Sequence, residues 1–437
     1  MKDLEKRISD KSANIGIVGL GYVGLPLAIA FAQAGFKITG FDIQNQRVDL
    51  VNKGISYIGD IKNDSLSPLV CKDLLHATTD QSRLKEMDAI CICVPTPLNK
   101  TKQPDLSPVR MESEVLSRYI QPGQLVVLES TTYPGTTREI TLPILESSGL
   151  RGGTDFFLAY SPERIDPGNK KHSLKNTPKI VGGLDTKSTR LGALLYRQVV
   201  DVVFTVSSLE IAEMTKVFEN VFRNINIALV NELSLLCERM GISVWEVIEA
   251  ASTKPFGYMP FYPGPGIGGH CIPIDPHYLA NKAREYDLHT RFIELAAEIN
   301  EQMPYHVVQS LMQALNSQEK SLKGARILVL GAAYKKDIED LRESPSLKII
   351  QLLRQNGAEV SYNDPYVSNI QLPEGSFVSV DLNKEYIAAM DCVLLVTDHS
   401  CYNLDEIASA SKLLFDTRGP TKKLNYPNIF RLGEQLK

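Results

Sequence analysis

The chain has 437 residues, a net charge of −4, and a composition that is 43% hydrophobic and 22% charged, which is ordinary for a globular protein of two or three domains. The slightly acidic balance and the lack of a long basic run give no support for a nucleic-acid partner. Seven cysteines in so long a chain do not indicate a disulfide framework, so we expect six of them to be small buried residues in a reducing compartment.

The N-terminal segment, MKDLEKRISDKSAN, is charged and polar and therefore does not match the apolar core of a signal peptide. Residues 12–36 then carry no Asp, Glu, Lys or Arg, a length that could span a membrane. The glycines within this stretch and Pro26 favour a different explanation, given below. We therefore expect a cytoplasmic protein without a membrane partner.

That stretch has the pattern of a dinucleotide site: the strand IGIVG, the turn GLGYVG, the helix LPLAIAFAQAG and the strand KITGFD. Gly19 allows the tight turn, Gly21 lets the backbone approach a pyrophosphate, and Gly24 allows close packing of helix and strand. The free N–H groups of the helix N-terminus would bind the pyrophosphate. Asp42 would accept a hydrogen bond from a ribose 2′-hydroxyl and repel a 2′-phosphate, which predicts NAD over NADP. The alternative is a tight turn in another α/β domain.

Further apolar runs, DAICICVPTP, QLVVLESTTYPG and FFLAYSPERIDPG, predict more strands of the same sheet. Because ligands bind at the carboxyl ends of parallel strands, polar residues there are candidates for the nicotinamide end of the site. These candidates are Thr96, Pro97, Ser130 and Thr131, with Glu163 after the next strand. The alternative for each is a polar turn.

Residues 207–240 lack proline and predict one long helix, ended by Gly241. Its apolar residues recur every three or four positions: Ile211, Met214, Phe218, Val221, Phe222, Ile225, Leu229, Leu233 and Leu236. A second helix is predicted over residues 292–315, with Pro304 as a kink. Helices of this length predict a homodimer, and the alternative is an intramolecular connector.

The same helix has a polar side formed by Lys216, Asn220, Arg223 and Asn224. Spacing favours a solvated face. A lysine and an asparagine one turn apart could also donate together to a developing oxyanion. Spacing alone leaves both explanations open.

The last third predicts a second α/β unit, starting with the strand in GARILVLGAAYKKD, but it lacks the G-x-G-x-x-G turn. A second NAD is therefore not expected there. Basic residues near its predicted strand ends suggest a phosphorylated ligand of another kind, and the alternative is ordinary surface charge: Lys335, Lys336, Arg342 and Arg418.

The segment PGPGIGGHCIPIDP places Cys271 among permissive residues. His270, Cys271 and His277 lack metal-ligand spacing, so we expect no metal. The segment could be a structural turn in which Asp275 caps a helix that starts at Pro276. Cys271 could instead be a thiolate nucleophile.

A nucleophilic cysteine and a dinucleotide together predict a two-step oxidation. Hydride transfer takes an alcohol to an aldehyde, which the thiolate traps as a thiohemiacetal. A second hydride transfer gives a thioester, and water hydrolyses it to an acid. A one-step hydroxy-acid dehydrogenase and a non-catalytic NAD-binding regulator remain as alternatives.

Across nearly its whole length the chain resembles the nucleotide-sugar 6-dehydrogenases, the UDP-glucose and GDP-mannose dehydrogenase family. The motifs that carry the resemblance are GLGYVGLPLA, VPTP, ESTTYPG, SPER, KVFENVFRNINIALVNE, PGPGIGGHCIPIDP and YKKDIEDLRESPS. The segment from residue 261 to 300 is similar to bacterial UDP-N-acetylglucosamine 6-dehydrogenases of surface-polysaccharide pathways.

The resemblance implies an α/β fold with two Rossmann-like doubly wound parallel-sheet domains joined by a long helix that dimerises. We divide the chain into an NAD-binding domain (1–206), a central helical domain (207–318) and a UDP-sugar-binding domain (319–437). The resemblance also implies an NAD cofactor and a UDP-sugar bound between the halves.

By position, Cys271 matches the nucleophile of the family, and Lys216 and Asn220 match the pair that stabilises the oxyanion at C6. Asp275 and Thr131 match residues that handle the catalytic water and proton, and Glu163 matches a glutamate near the reacting sugar. The remaining cofactor contacts are predicted at Tyr22, Val23, Arg47, Pro95 and Thr96, in addition to the three glycines, Asp42 and Thr131. The remaining substrate contacts are predicted at Arg164, Arg223, Tyr262, Gly268, Lys335 and Arg418.

Two departures concern the sugar. UDP-glucose members commonly carry a second glutamate where this chain has Pro167, and an arginine ahead of the glycine-rich loop, where this chain has STKPFGYMPFYPGP. Both departures favour an N-acetylated sugar, with UDP-N-acetylglucosamine first. UDP-glucose, UDP-N-acetylgalactosamine and UDP-N-acetylmannosamine remain as alternatives.

Overall fold

The computed structural model describes residues 2–59, 61–99, 102–166, 168–169, 171–269 and 272–435. The chain forms two compact units, one of Met1–Glu219 with His277–His289 and one of Asn220–Pro276 with Thr290–Lys437. Our division into three domains stays a prediction.

An eight-stranded sheet is the centre of the first unit. Its strands are β1 (Asn14–Val18), β2 (Lys37–Phe41), β3 (Leu75–Thr78), β4 (Ala89–Ile92), β5 (Leu125–Leu128), β6 (Phe157–Tyr160), β7 (Lys179–Gly183) and β8 (Val203–Thr205). The order is β3-β2-β1-β4-β5-β6-β7-β8, and every pairing is parallel except β6 with β7. The carboxyl ends of β1, β4, β5 and β6 therefore share one edge of the sheet.

Helices cover both faces of this sheet, as the apolar strands require. They are α1 (Lys2–Ser9), α2 (Gly24–Gln33), α3 (Asn45–Asn52), α4 (Asn63–Cys71), α5 (Ser107–Ser117), α6 (Leu142–Glu146) and α7 (Thr186–Tyr196). A π-helical turn, Thr137–Thr141, leads directly into α6. Two separate apolar clusters fill the space on the two faces of the sheet.

A five-stranded, fully parallel sheet is the centre of the second unit. Its strands are β9 (Arg326–Leu330), β10 (Glu359–Asn363), β13 (Cys392–Leu395), β14 (Leu414–Asp416) and β15 (Ile429–Arg431), in the order β10-β9-β13-β14-β15. A hairpin of β11 (Asn369–Leu372) and β12 (Gly375–Val378) is separate from it. The helices α12 (Pro345–Gln355), α13 (Lys384–Ala389) and α14 (Leu404–Ala410) belong to this unit.

The middle of the chain contains the helices α8 (Leu209–Met240), α9 (Val244–Ser252), α10 (Asp275–Arg284) and α11 (Arg291–Asn316). Both long helices occur where periodicity predicts them. Gly241 follows α8 with a φ of 72°, which is the left-handed conformation typical of a residue that ends a helix. Pro304 lies inside α11.

The predicted fold class is confirmed: two Rossmann-like parallel sheets with a long central helix. In the described ranges, no helix combines the length and the apolar character that crossing a membrane requires. One cysteine prediction was wrong. Four described cysteines are buried, but Cys71 and Cys401 are exposed, because the first ends a surface helix and the second lies in a surface turn.

Candidate active site

The glycine loop of the first unit has the shape of a pyrophosphate cradle. Gly19 has a φ of 87°. A Cβ on Gly24 would lie 1.8 Å from the Gly19 carbonyl oxygen, whereas a Cβ on Gly21 would meet nothing within 4 Å. No side chain caps the N-terminus of α2, which leaves the positive end of its dipole open to an anion, although the Leu25 N–H itself donates to the Gly21 carbonyl oxygen at 3.1 Å. The residues therefore fit the diphosphate of a dinucleotide.

Asp42 follows β2 at the same edge and is buried. Its Oδ2 accepts a hydrogen bond from the Leu20 N–H at 3.0 Å, and its Oδ1 accepts one from the Gln44 N–H at 2.9 Å. Arg47 lies 3.4 Å from Oδ2. These contacts fix the carboxylate while leaving lone pairs for a ribose hydroxyl.

The loops after β4 and β5 are joined at their start. The buried Ser130 hydroxyl donates to the Val94 carbonyl oxygen at 2.7 Å. Thr96 is buried and Thr131 is half-buried, whereas Pro95 is exposed. The candidates for the nicotinamide end thus lie on two adjacent loops at the edge that carries the glycine turn.

Glu163 follows β6 and is almost buried. Its Oε1 accepts hydrogen bonds from the N–H groups of Arg164 and Ile165, and its Oε2 lies 3.2 Å from Lys179 Nζ. Arg164, predicted as a substrate contact, donates to both carboxylate oxygens of Glu219 on α8. The SPER segment is therefore held both from the sheet and from α8.

Sequence reasoning missed Glu213 on α8. Its buried carboxylate accepts hydrogen bonds from the Gly135 N–H at 2.6 Å and from the Thr137 N–H at 2.8 Å, at the start of the π-helical turn. Burial raises the pKa of Glu213 to about 7, although these hydrogen bonds oppose the shift. Glu213 thus ties the ESTTYPG loop to α8.

On helix α8, several apolar side chains are exposed and two polar side chains are buried, which is the reverse of an ordinary surface helix. Six residues of its predicted apolar stripe are between 42% and 63% exposed: Ile211, Met214, Phe218, Phe222, Leu229 and Leu236. On its polar side Lys216 is only 8% exposed, and Asn224 is buried, whereas Arg223 is exposed. The described residues offer the Lys216 ammonium neither a hydrogen bond nor an ion pair. The Asn220 amide donates to the buried Asp275 carboxylate.

Three buried asparagines connect α8 and α11 to the glycine-rich loop. The Gly264 N–H donates to Asn231 Oδ1 at 3.0 Å, and Asn231 Nδ2 donates to Asn300 Oδ1 at 2.9 Å. Asn300 Nδ2 donates to the Asn224 carbonyl oxygen at 3.1 Å, and Asn224 Nδ2 donates to the Ile272 carbonyl oxygen at 3.2 Å. This amide chain begins and ends on the loop, on both sides of position 271.

His270 and Cys271 themselves lie outside the described residues. The N–H of neighbouring Gly269 donates to the Arg342 carbonyl oxygen at 2.9 Å. A Cβ on Gly268 would lie 2.4 Å from Tyr334 Cβ, so only glycine fits that contact. The described flanks of the nucleophile candidate are thus packed closely against the second unit's own loops.

In the second unit, the side chain of Asp364 occupies the turn that follows β9. Asp364 Oδ2 accepts the N–H groups of Ala332 at 2.7 Å and Ala333 at 2.9 Å, which follow β9. His399 Nε2 lies 3.0 Å from the same oxygen. Ala332 follows Gly331 as Leu20 follows Gly19, and the Leu20 N–H likewise donates to an aspartate, Asp42.

Two residues of the second unit that are predicted to contact the substrate, Arg418 and Tyr262, lie close to the glycine-rich loop or directly before it in the chain. Arg418 Nε donates to the Val396 carbonyl oxygen at 2.9 Å, and its Nη1 lies 2.8 Å from where a Cβ on Gly264 would be. Tyr262 is half exposed and stacks on Trp245 at 6.4 Å. Lys335 is half-buried in the loop after β9. The residue roles themselves stay predictions.

Comparisons with known proteins agree with this geometry. Residues 13–200, 210–302 and 328–423 match, in turn, the NAD binding, central and UDP binding domains of the UDP-glucose/GDP-mannose dehydrogenase family. A UDP-N-acetyl-D-glucosamine 6-dehydrogenase from Pseudomonas aeruginosa is 36% identical over 93% of this chain and 97% of its own. A UDP-N-acetyl-D-mannosamine dehydrogenase from Pyrococcus horikoshii is 35% identical over 95% of this chain and 98% of its own.

A solved structure of UDP-D-ManNAc dehydrogenase from Pyrococcus horikoshii superimposes with a TM-score of 0.87, at 34% identity over 96% of this chain and 99% of that one. Family models cover most of the chain in the order in which its domains occur. The chain therefore belongs to the UDP-glucose/GDP-mannose dehydrogenase family and is an NAD-dependent oxidoreductase that acts on a UDP-sugar.

Proposed function

We propose that the enzyme oxidises C6 of UDP-N-acetylglucosamine to the carboxylate in two steps, through a covalent adduct on Cys271. The glycine loop and Asp42 would hold NAD, which would supply the hydride acceptor for each oxidation. The thiolate of Cys271 traps the aldehyde as a thiohemiacetal, and hydrolysis of the later thioester releases the uronate.

Lys216 is the observation that carries the proposed oxyanion site. Its side chain is only 8% exposed, and the described residues give its ammonium neither a hydrogen bond nor an ion pair, so this group is available to a ligand. Asn220 lies one turn further along α8 and can donate to the same atom. We assign this pair to the oxygen at C6, whose negative charge develops during the reaction.

Asp275 and Thr131 are proposed to handle the water and proton of the hydrolysis. Asp275 is buried at the start of α10 and is held by the Asn220 amide. A carboxylate that contacts a proposed oxyanion donor is suited to accept a proton from a water, which supports the assignment of Asp275 to the second half of the reaction. The assignment of Thr131 rests on the family resemblance.

The identity of the sugar rests on the relatives and on two departures in the sequence. The Pseudomonas aeruginosa relative named for UDP-N-acetyl-D-glucosamine matches slightly better than the Pyrococcus horikoshii relative named for UDP-N-acetyl-D-mannosamine. Pro167, one of the departures, lies outside the described residues. UDP-N-acetylmannosamine is the second candidate, because the Pyrococcus horikoshii match is almost as strong.

The test is the NADH yield from limiting amounts of each sugar nucleotide, with UDP-N-acetylglucosamine, UDP-N-acetylmannosamine, UDP-N-acetylgalactosamine and UDP-glucose compared. We expect two NADH per UDP-N-acetylglucosamine and a kcat/KM at least about tenfold above that for the other three sugars. One NADH per sugar would contradict the covalent mechanism. Two NADH from another sugar alone would keep the mechanism and overturn the choice of sugar.

We also propose that the enzyme is a homodimer through α8. Six large apolar side chains line one side of this helix and are exposed, and Phe261 packs edge-on against Phe222 at 5.9 Å, which extends the same surface. Contiguous apolar surface of this kind is typical of subunit interfaces.

Phe218→Glu should convert the dimer to a monomer, because Phe218 is the most exposed member of the stripe and a buried carboxylate without a partner opposes association. Size-exclusion chromatography with light scattering measures the mass directly. Val378→Glu, an equally exposed apolar position on the hairpin, is the matched control and should leave the mass unchanged. A dimeric Phe218→Glu variant would contradict the proposed interface.

A further inference from the structure

A buried charge cluster in the first unit is larger than the fold requires. Lys179 begins β7, Glu129 follows β5, and Glu163 follows β6. Lys179 Nζ lies 2.5 Å from Glu129 Oε2 and 3.2 Å from Glu163 Oε2. The three side chains are 3%, 0% and 12% exposed, in that order. Two carboxylates thus share one ammonium group away from water.

Lys179 and Glu129, the inner pair of this cluster, neutralise each other without Glu163. Glu129 also accepts a hydrogen bond from the buried Tyr196 hydroxyl, and the Lys179 ammonium lies 5.0 Å above the Tyr196 ring. One carboxylate neutralises one lysine, so a purely structural ion pair would end there. Glu163 adds a net negative charge, which buried clusters do not carry without a reason.

Glu163 is held only as an acceptor. Its Oε1 accepts the Arg164 N–H at 2.6 Å and the Ile165 N–H at 2.7 Å, and its Oε2 accepts from Lys179. Three donors and no acceptor match the ionised carboxylate, which has further lone pairs for a ligand. Such a group can accept a proton or a hydrogen bond from a sugar hydroxyl or a water.

Contacts of Arg164 also hold the SPER segment, which contains Glu163. Arg164 forms a two-point ion pair with Glu219 of α8, and its Nη1 donates to the Pro178 carbonyl oxygen, directly before Lys179. Lys179 therefore sets the direction of the Glu163 side chain, while Arg164 sets the position of its backbone.

Lys179 itself cannot act as a base near neutral pH. Burial alone would lower the pKa of Lys179, but the charges of Glu129 and Glu163 together outweigh burial and raise this pKa above its ordinary value. Its function must therefore be to hold a charge in place.

We propose that Lys179 is a positioning residue for the oxidation: it fixes Glu163 as an ionised hydrogen-bond acceptor for the reacting sugar or its water, and Glu129 is the counter-charge that keeps Lys179 in place. The proposal rests on the function proposed above. It assigns a role to two residues, Lys179 and Glu129, for which the sequence analysis predicts none.

The experiment compares Lys179→Met, Lys179→Arg, Glu129→Gln and the double variant Lys179→Met with Glu129→Gln. Lys179→Met should lower kcat with UDP-N-acetylglucosamine by about 100-fold, because a misplaced catalytic group costs this much. Its KM for NAD should be unchanged. Lys179→Arg restores the charge and should return kcat to within about tenfold of wild type. Lys187→Met, an exposed lysine at the start of α7, is the control.

The double variant separates positioning from a structural role. The double variant removes both charges of the inner pair. It should recover most of the thermal stability that the single variant loses, but none of the activity.

Recovery of both stability and activity in the double variant would overturn the proposal, because Lys179 would then serve only Glu129. Wild-type kcat in Lys179→Met would overturn it as well. If Lys179→Met fails to fold, the double variant decides the question. A wild-type enzyme that releases no NADH from any of the four sugars would overturn the proposed function itself, and this role with it.

Discussion

Cys271→Ser should abolish uronate formation, with a fall in two-step turnover of at least about 10³-fold. A serine hydroxyl is almost fully protonated at neutral pH, whereas a cysteine near cationic groups is readily ionised. The first oxidation does not need the nucleophile, so the variant should release no more than one NADH per sugar. The measurement is the NADH yield, together with the amount of uronate and of aldehyde trapped with hydroxylamine.

Cys401→Ser is the matched control, because Cys401 is an exposed cysteine of the second unit that has no place in the proposed reaction. This control should behave as wild type. A Cys271→Ser variant that still yields two NADH and uronate at the wild-type rate would eliminate the covalent pathway and leave Cys271 as a turn residue.

Gly24→Ala should be the most damaging single change in the NAD-binding unit. The added Cβ would lie 1.8 Å from the Gly19 carbonyl oxygen, a backbone atom that can move only if the turn or α2 moves. We expect a loss of about 3 kcal/mol in unfolding free energy, at the upper end of overpacking costs, and a fall in melting temperature of roughly 10 °C. Thermal denaturation of the full chain measures this effect.

Gly21→Ala is the matched comparison, since its Cβ would meet nothing within 4 Å. Its melting temperature should be that of wild type. The methyl group would occupy the space where the pyrophosphate approaches the backbone, so the KM for NAD should rise roughly 10- to 100-fold, the value of one charged hydrogen bond. Equal melting temperatures for the two variants would contradict the steric argument, and an unchanged KM in Gly21→Ala would contradict the cradle.

The local parts of the structure were predictable because their causes are local. The glycine turn, α2 and β2 follow from residues close together in sequence, and Gly241 and Pro304 mark features within their own helices. Asp364 supplies the turn after β9 with an internal acceptor, which a sequence pattern can indicate only once the strands are aligned.

The rest depends on contacts between distant residues. Lys179 and Glu129 are 50 positions apart, and Glu213 reaches the start of a turn more than 70 positions earlier. The single available signal was a charge placed directly beside an apolar strand. On α8, periodicity predicts an apolar stripe, but it could not show that six of its nine residues are exposed while Lys216 and Asn224 on the polar side are buried, because a pattern does not state which side a partner covers.

The amide chain from Gly264 through Asn231, Asn300 and Asn224 to Ile272 joins two described points of the glycine-rich loop through buried groups. Each asparagine accepts one hydrogen bond and donates the next, Asn224 accepting at its backbone carbonyl, so a break at one link leaves a buried donor and a buried acceptor unpaired at once. Partial opening is therefore costly, and the loop should exchange its amide hydrogens as one cooperative unit with the adjacent turns of α8 and α11. The glycines widen the range of backbone conformations open to this loop, whereas the asparagines hold Gly264 and Ile272 in fixed positions.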